Sequence, residues 1–499
     1  MSHPMEFVDH KRIAKNTLLL YARMGLIMII SLWSSRVVLQ SLGVVDFGLY
    51  NVIAGIVVAF SFMSGALNSS CNRYYSTELG KASNGSITEV YKANLSLFLL
   101  LSLIVLLLCE SLGLFLLERK MNIPADRHEA AGWVFQFSII TFLSSLIAIP
   151  FKSLITAKEK MKVYAYSSII EAALKLAICY LLDKSPVDKL VFYALLLMLV
   201  SILTNLFYIL YCKHFYPECN FSGRVDKTLV KEILAFNGWA FIGSAATVAK
   251  NQGVNILLNM FFGPVVNAAR GIANQVYVNV YQFVQNYTLA FSPQIVKSWS
   301  AGQRKACLNL IYRSSRLSYL LLFMIVLPLI SELDLVLRLW LVEVPEHSLA
   351  FARLMLLTAL VDSLHTPLYN GIQASGKVKW LNILVGGCQL GVVLLSYIIL
   401  KCFKIAPEYV FVFILSGAIL SQIIRIILSV KEIELKFGTY LRTVLLPVCL
   451  VSILATGAET VLLHLLPQGW LRLTLSILSS LLIVGGSMLY FRKKEANDD

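Results

Sequence analysis

The sequence predicts an all-α polytopic membrane protein with about 14 transmembrane helices, arranged as two pseudo-symmetric six-helix lobes and a C-terminal helix pair. Three observations support this fold class. The 499 residues are 58% hydrophobic and only 14% charged, with a mean hydropathy of +0.74, and soluble domains carry more charge. Long apolar runs recur between short polar joints, and a short internal repeat recurs at a fixed spacing.

Fourteen candidate spans are long enough to cross ~30 Å of hydrocarbon at about 1.5 Å per residue. The polar joints between them include 79–89, 215–227 and 298–306. The spans lie near residues 14–41, 47–76, 91–117, 130–157, 163–182, 189–213, 230–262, 265–297, 307–340, 348–375, 379–401, 408–431, 441–466 and 470–491.

The positions of lysine and arginine predict that both termini are cytoplasmic. With the N-terminus inside, the cytoplasmic joints and span ends hold most of the loop cations, including the clusters at 152–162 and 304–316. The same excess accounts for the net charge of +15, so nucleic acid is not an expected partner. Residues 1–16 are polar and lack the apolar core of a signal peptide, so we expect them to be retained.

An internal repeat divides the chain. The segment PFKSLITAKEKMK from Pro150 matches PLYNGIQASGKVK from Pro367 at five positions, and we call the separation of these prolines the proline spacing. Gly43 and Gly263 match at nearly the same separation, which we call the glycine spacing. We therefore predict an N-lobe at 1–215, a C-lobe at 216–436 and a terminal helix pair with a tail at 437–499. An even number of spans in each half predicts parallel repeats with a substrate site between them.

A polar stripe follows Gly263. At about 100° per residue, six polar side chains fall within an arc of about 80° on this span. They are Asn267, Arg270, Asn274, Tyr277, Tyr281 and Gln285. Lipid contact would leave such groups without hydrogen bonds, so the stripe predicts the wall of a hydrated cavity. For the asparagines taken singly, bonding between helices is an open alternative.

Two further stripes are expected to face the same space. One lies on the preceding span, and consists of Lys250, Asn251, Gln252, Asn255 and Asn259. The other lies on the second span, and consists of Ser61, Ser64, Asn68 and Asn72. Together they would line the space between the two lobes.

The charges in or near the cores of the first, second, seventh and eighth spans are all positive: Arg23, Arg36, Arg73, Lys250 and Arg270. A cation within a membrane costs about 2.5–3.5 kcal/mol on insertion scales, and an anionic ligand would offset this cost. The planar guanidinium suits phosphate because it can contact two oxygens at once. The alternative for Arg36 and Arg73 is that they extend to the membrane interfaces.

Acidic groups within the spans are few. Asp362, with His365 near it, and Glu171, four residues before Lys175, are the candidates for coupling to an ion. No cofactor or metal is expected, because the nine cysteines are scattered singly without a CxxC pair. Phosphate-binding loops and nucleophile motifs are also missing from the sequence, which argues against an ATP-driven pump and against an enzyme.

Two segments carry a resemblance to a known family: RVVLQSLGVVDFGLYNVIAGIV across spans one and two, and NMFFGPVVNAARGIANQV across spans seven and eight. They resemble the polysaccharide-exporting branch of the MOP superfamily, the Wzx-type flippases for O-antigen and capsule precursors, which are related to MATE transporters. The resemblance implies a V-shaped alternating-access transporter. Its substrates would be undecaprenyl-pyrophosphate-linked oligosaccharides, moved from the cytoplasmic to the outer leaflet of the inner membrane. Besides membrane lipid, its partners would be a polysaccharide polymerase and glycosyltransferases.

On this chain the resemblance gives the cationic role, binding of pyrophosphate, to Arg23, Arg36, Arg73, Lys250 and Arg270. Sugar hydroxyls would bind to Asn68, Asn251, Asn255, Asn259, Asn267, Asn274, Tyr277, Tyr281 and Gln285. Three alternatives are open: a MATE-type cation and drug antiporter, a flippase for the peptidoglycan lipid precursor, and a scaffold for glycan assembly. The antiporter would need a cavity carboxylate, which only Asp362 could supply in the second half.

Overall fold

The computed structural model describes residues 10–80, 84–158, 160–185, 187–219 and 225–498. Every regular element within these ranges is a helix. The N-terminal nine residues and the middles of the joints at 79–89 and 215–227 lie outside the described residues.

We call residues 1–215 the first repeat and residues 216–436 the second repeat. The helices of the first repeat are α1 (His10–Val58), α2 (Phe62–Gly80), α3 (Asn84–Leu108), α4 (Leu114–Arg119), α5 (His128–Ala157), α6 (Met161–Leu182) and α7 (Lys189–Phe215). Those of the second repeat are α8 (Lys227–Phe262), α9 (Pro264–Ser300), α10 (Arg304–Ser331), α11 (Leu333–Trp340), α12 (Ser348–Ser363), α13 (His365–Ala374), α14 (Lys379–Cys402) and α15 (Glu408–Glu432). The terminal helices are α16 (Phe437–Tyr440), α17 (Leu446–Leu465), α18 (Trp470–Ser480) and α19 (Gly486–Asp498).

Ten segments of the described chain are long and apolar enough to cross a membrane. The helices α6, α8 and α9, which we also predicted to be spans, have 22, 36 and 37 residues and carry more polar side chains. Large apolar side chains such as Leu394, Ile427, Leu454 and Leu482 are exposed on the outer helices, as lipid contact requires. The protein is therefore a multi-pass helical membrane protein, and the count of fourteen spans stays a prediction.

The two matched glycines have the same backbone conformation. Gly43, inside α1, has φ 77° and ψ 170°, and Gly263, between α8 and α9, has φ 82° and ψ −176°. A positive φ favours glycine because it has no Cβ atom. Pro264 then occupies the first turn of α9, where its missing N–H would have no helical partner in any case.

The matched prolines differ in their effect. Pro150 lies within the continuous helix α5, whereas the chain around Pro367 is broken into α12 and α13 at Leu364. A proline frees backbone carbonyls on the preceding turn. Here side chains from other helices bind such carbonyls: Tyr281 Oη donates to Asp362 O at 3.1 Å, and Gln422 Nε2 donates to Leu364 O at 3.3 Å.

Two large apolar cores hold the helices together. The first is built from the first repeat and extends to Ile233 of α8. The second surrounds α9, α10 and α12, and it includes Val38, Leu39 and Phe47 from α1. Because α1 and α8 each contribute to the core of the other repeat, these two helices and α9 lie where the repeats meet.

Candidate functional site

The candidate site is the region where the repeats meet, which we call the seam: residues 44–58 of α1 against residues 250–275 of α8 and α9. Its helices approach very closely. A Cβ atom on Gly48 would lie 1.9 Å from Pro264 O, and one on Gly55 would lie 2.6 Å from Asn255 Nδ2. Only glycine permits this approach of backbones, as in other packed membrane helices.

Residues at matching repeat positions meet each other in the seam. At the glycine spacing, Gly48 matches Ala268 and Asn51 matches Gly271. A Cβ on Gly48 would lie 3.2 Å from Ala268 N, and one on Gly271 would lie 3.0 Å from Asn51 Nδ2. Residues that match at the glycine spacing are therefore neighbours in the seam.

Three of the predicted sugar ligands are buried within the seam. Asn255, Asn259 and Asn267 are 2%, 0% and 0% exposed. Asn255 Nδ2 donates to Asn51 O at 3.0 Å, and Asn267 Nδ2 donates to Asn255 O and Oδ1, both at 2.8 Å. Asn259 Oδ1 accepts from Asn122 N at 2.8 Å. In this conformation they bond helices together, which is the alternative that the sequence left open.

The two cations of the second repeat lie beside this network. Arg270 Nη2 donates to Asn251 O at 2.6 Å, and neither Arg270 nor Lys250 has an ion-pair partner in the described part of the chain. Both side chains are partly accessible. Asn251 and Asn274, which are close to these cations along the chain, are exposed, as is Gln285 farther along α9, so their side chains are available to a ligand.

Helix α1 of the first repeat contacts α9 and α11 of the second repeat. Gln275 Nε2 donates to Ser31 O at 3.0 Å, Trp340 Nε1 donates to Leu32 O at 2.8 Å, and Arg36 Nη1 donates to Leu339 O at 3.3 Å. Arg36 is thus an exposed side chain that joins α1 to the end of α11. These contacts hold the part of α1 that precedes Gly43 against α9 and α11.

The remaining first-repeat candidates are spread more widely. Asn68 is exposed on α2 and its Oδ1 accepts from Ser153 Oγ at 2.8 Å. The side chains of Arg23 and Arg73 lie outside the described residues. Glu171 accepts from Lys175 Nζ at 2.7 Å and lines a cavity of about 460 Å³ between α1, α6 and α7.

A charged cluster lies within the second repeat. Tyr277 Oη donates to Asp362 Oδ2 at 3.1 Å, and the rings of Tyr277 and Tyr281 stack with centroids 5.5 Å apart. The guanidinium of Arg425, only 4% exposed, is close enough to Asp362 for electrostatic attraction. His365 lies within electrostatic range of both Arg425 and Lys250. The carboxylate of Asp362 is therefore attracted by a cation of the protein itself, Arg425.

Sequence reasoning missed Arg425, because it considered only the cations in or near four spans. The signal was present in the segment SQIIRIILS, where Gln422 and Arg425 interrupt an apolar helix three residues apart. It also missed Arg127, which forms an ion pair with Asp188 and another with Asp46 at 2.6 Å. These residues tie α1, α5 and α7 together at the Gly43 end.

Known structures share this fold. One, described as "Lipid II flippase MurJ, inward closed conformation", has a TM-score of 0.64 at 13% identity and covers 96% of this chain and 99% of that one. Another, an inward-facing multidrug resistance MATE family transporter of the MOP superfamily, has a TM-score of 0.60 at 13% identity, covering 83% and 94%. At this identity the likeness concerns the fold alone.

Sequence comparison gives the family. No curated protein matches the chain. The family model described as "Polysaccharide biosynthesis protein" matches residues 13–301, which is more than half of the chain and includes the whole seam. The chain belongs to this polysaccharide biosynthesis family.

Proposed function

We propose that the protein is a flippase for undecaprenyl-pyrophosphate-linked oligosaccharides, the precursors of O-antigen, capsule or exopolysaccharide. The observation that carries this proposal is the pair of cations at the seam, Arg270 and Lys250, which have no carboxylate partner among the described residues. Positive charge at membrane depth without a protein anion favours an anionic ligand. A pyrophosphate supplies such charge, and the family match concerns polysaccharide biosynthesis.

Transport would proceed by alternating access between the N-lobe at 1–215 and the C-lobe at 216–436. The contacts of the seam close it at the Gly43 end, which the charge distribution predicts to be the outer end. The pyrophosphate would bind to Arg270 and Lys250, with Arg23, Arg36 and Arg73 completing the cationic path. The protein would lie in the inner membrane with both termini cytoplasmic, and work with a polymerase and glycosyltransferases.

Sugar hydroxyls would bind first to the accessible Asn251, Asn274 and Gln285. When the lobes rock apart, the bonds that bury the inner asparagines break, and their amides become free for sugar. The groups proposed to bind sugar in that second state are Asn68, Asn255, Asn259, Asn267, Tyr277 and Tyr281.

A cation antiporter is a weaker candidate on this geometry. Such a transporter needs a carboxylate that is free to bind a proton, a sodium ion or a cationic drug. Asp362 is instead held by Tyr277 and attracted by Arg425. A flippase for the peptidoglycan precursor would use the same pyrophosphate chemistry, and the substrate used in the assay separates it from the present proposal.

The test is transport by purified protein in proteoliposomes. The substrate is the lipid-linked oligosaccharide extracted from cells that carry the gene, with the peptidoglycan precursor as the competing substrate. We expect Arg270→Ala to reduce the initial flipping rate about 10- to 100-fold, because charge-assisted hydrogen bonds to phosphate are lost. Arg442→Ala removes an exposed arginine from the start of the terminal helix pair and serves as the matched control. If the Arg270→Ala protein is present at normal levels and flips the substrate at the wild-type rate, the assignment of pyrophosphate binding to Arg270 is wrong.

A further inference from the structure

We propose that the first repeat contains a sugar-binding site of its own, next to the seam. The site is the cavity between α1, α6 and α7, and it would take neutral, polyhydroxylated sugar units of the transported oligosaccharide. This inference rests on the proposed function and adds to it the place where part of the glycan binds. The cavity measures about 460 Å³, and typical small-molecule sites measure about 300–1,000 Å³.

The cavity lining includes six polar or charged residues. They are Ser31, Ser34 and Ser35 of α1 and Ser168, Glu171 and Lys175 of α6. The side chains of Lys175 and Glu171 are 49% and 41% exposed, so their mutual contact can be exchanged for contacts with a ligand.

Aromatic rings also line the cavity. They belong to Phe47, Tyr50 and Tyr193, and the rings of Tyr50 and Tyr193 meet edge to face with centroids 4.9 Å apart. A sugar ring has hydroxyls at its edge and an apolar C–H face, so it suits a cavity lined by both polar and aromatic side chains. The Glu171–Lys175 pair is neutral as a unit and supplies both acceptors and donors. Its neutrality disfavours a cation or an isolated anion as the ligand.

The second repeat shows that the fold alone does not create this cavity. At the proline spacing, Glu171 and Lys175 correspond to Cys388 and Val392, which cannot form such a pair. There α14 packs directly on α8: a Cβ on Gly253 would lie 3.0 Å from Val393, and one on Gly386 would lie 3.1 Å from Ala246 Cβ.

Residue size differs at these positions. The positions of Gly253 and Gly386 are occupied in the first repeat by Trp33, at the glycine spacing, and Ile169, at the proline spacing. The first repeat therefore lacks the two glycines that let α8 and α14 approach closely in the second.

The cavity adjoins the seam. Ser31 lines the cavity and also accepts hydrogen bonds from Gln275 of α9. Tyr50 lines it too, and the neighbouring Asn51 accepts the bond from Asn255. The cavity and the seam therefore share α1, so a glycan whose pyrophosphate binds at the seam would lie next to this cavity.

Binding to the purified full-length protein in lipid nanodiscs tests the inference. Two probes are compared: undecaprenyl pyrophosphate, which lacks sugar, and the extracted undecaprenyl-pyrophosphate-linked oligosaccharide. We expect Glu171→Gln to weaken binding of the oligosaccharide about tenfold, because one charge-assisted hydrogen bond is lost, and to leave binding of the sugar-free lipid unchanged. Arg270→Ala should weaken the binding of both probes.

A charge swap separates recognition from a structural role. Glu171→Lys combined with Lys175→Glu keeps an ion pair at the same helical spacing but moves the carboxylate by one turn. If the pair only stabilises α6, the swap will bind the oligosaccharide like wild type, and the inference is wrong. If it recognises sugar, the swap will bind as weakly as Glu171→Gln.

The remaining outcomes are also decisive. Equal oligosaccharide affinity for wild type and Glu171→Gln would overturn the sugar site while leaving the flippase proposal intact. If transport were lost at unchanged oligosaccharide affinity, Glu171 would belong to ion coupling, and the sugar site would again be excluded. If wild-type protein bound neither probe, the proposed function itself would fail.

Discussion

The first and second repeats place polar groups at matching positions but with different chemistry. In the first repeat Asn205 Nδ2 donates to Ser144 Oγ at 3.0 Å and Ser145 Oγ at 3.3 Å, and its Oδ1 accepts from Lys152 Nζ at 2.8 Å. At the proline spacing, Ser145 and Asn205 correspond to Asp362 and Gln422. A hydroxyl in the first repeat thus becomes a carboxylate in the second.

The cation and the aromatic ring also exchange places. Lys152 of α5 lies over the ring of Tyr208 of α7, with Nζ 4.9 Å from the centroid. The matching residues of the second repeat are Tyr369 and Arg425. The bonds among the neutral Ser144, Ser145 and Asn205 can be exchanged for bonds to water or sugar at low cost, whereas taking the carboxylate of Asp362 away from the buried Arg425 costs more. The difference indicates that the second repeat is the more rigid of the two.

The charged cluster gives the strongest test of this contrast. Asp362→Asn keeps the hydrogen bond to Tyr277 but removes the carboxylate that attracts the buried Arg425 without an ion-pair contact among the described residues, so we expect a loss of about 2 kcal/mol of stability. Ser145→Ala, at the matching position of the first repeat, should cost about 1 kcal/mol. Thermal unfolding of the purified variants measures both.

A double variant completes that experiment. Asp362→Asn with Arg425→Met removes both charges and should recover most of the lost stability, because no charge is left buried alone. If Asp362→Asn unfolds at the same temperature as Ser145→Ala, the second repeat is no more rigid than the first, and the contrast drawn above is wrong.

The sequence predicted the helical fold, the matched glycines and the polar character of α8 and α9, because all three follow from composition and periodicity. The sequence did not predict which polar side chains contact neighbouring helices and which are accessible to a ligand. Asn251 and Asn255 lie one turn apart on one face, yet the first is exposed and the second is 2% exposed. Their difference is set by where α1 crosses α8, and periodicity within one helix carries no information about that crossing.

The seam offers the next test, because it is where the repeats contact each other at equivalent positions. Gly48→Ala places a methyl group against Pro264 O, so the helices must separate, and we expect a loss of about 2 kcal/mol. Gly25→Ala is the matched control in the same helix, since nothing lies within 4 Å of its Cβ. Its effect should be neutral or slightly stabilising, because alanine favours helices.

Hydrogen exchange shows whether the separation occurs at the seam. Backbone amides at 251–271 should exchange faster in Gly48→Ala than in Gly25→Ala, while those of the α10 core stay protected. Unchanged exchange at 251–271 would mean that the close approach at Gly48 does not hold the repeats together.

The smallest expected effect concerns the Gly43 end, where the repeats again differ. In the first repeat Arg127 holds two carboxylates, Asp46 and Asp188. At the glycine spacing, Arg127, Asp188 and Asp46 correspond to His347, Glu408 and Val266. His347 Nδ1 lies 2.5 Å from Glu408 Oε1. The second repeat therefore keeps one of the two contacts of the first, and an imidazole, a weaker base than a guanidinium, takes the place of the arginine.

Exchanging the two residues therefore has unequal consequences at pH 8, where an ordinary imidazole is neutral. Arg127→His leaves the buried Asp46 without its cation and should cost about 1–2 kcal/mol. His347→Arg adds an ion pair to the partly exposed Glu408 and should change stability by about 0.5 kcal/mol or less. If the two variants change the unfolding temperature equally, this expectation of unequal effects is wrong. The expectation depends on Arg127 being needed in the first repeat because it pairs with a second carboxylate, that of Asp46.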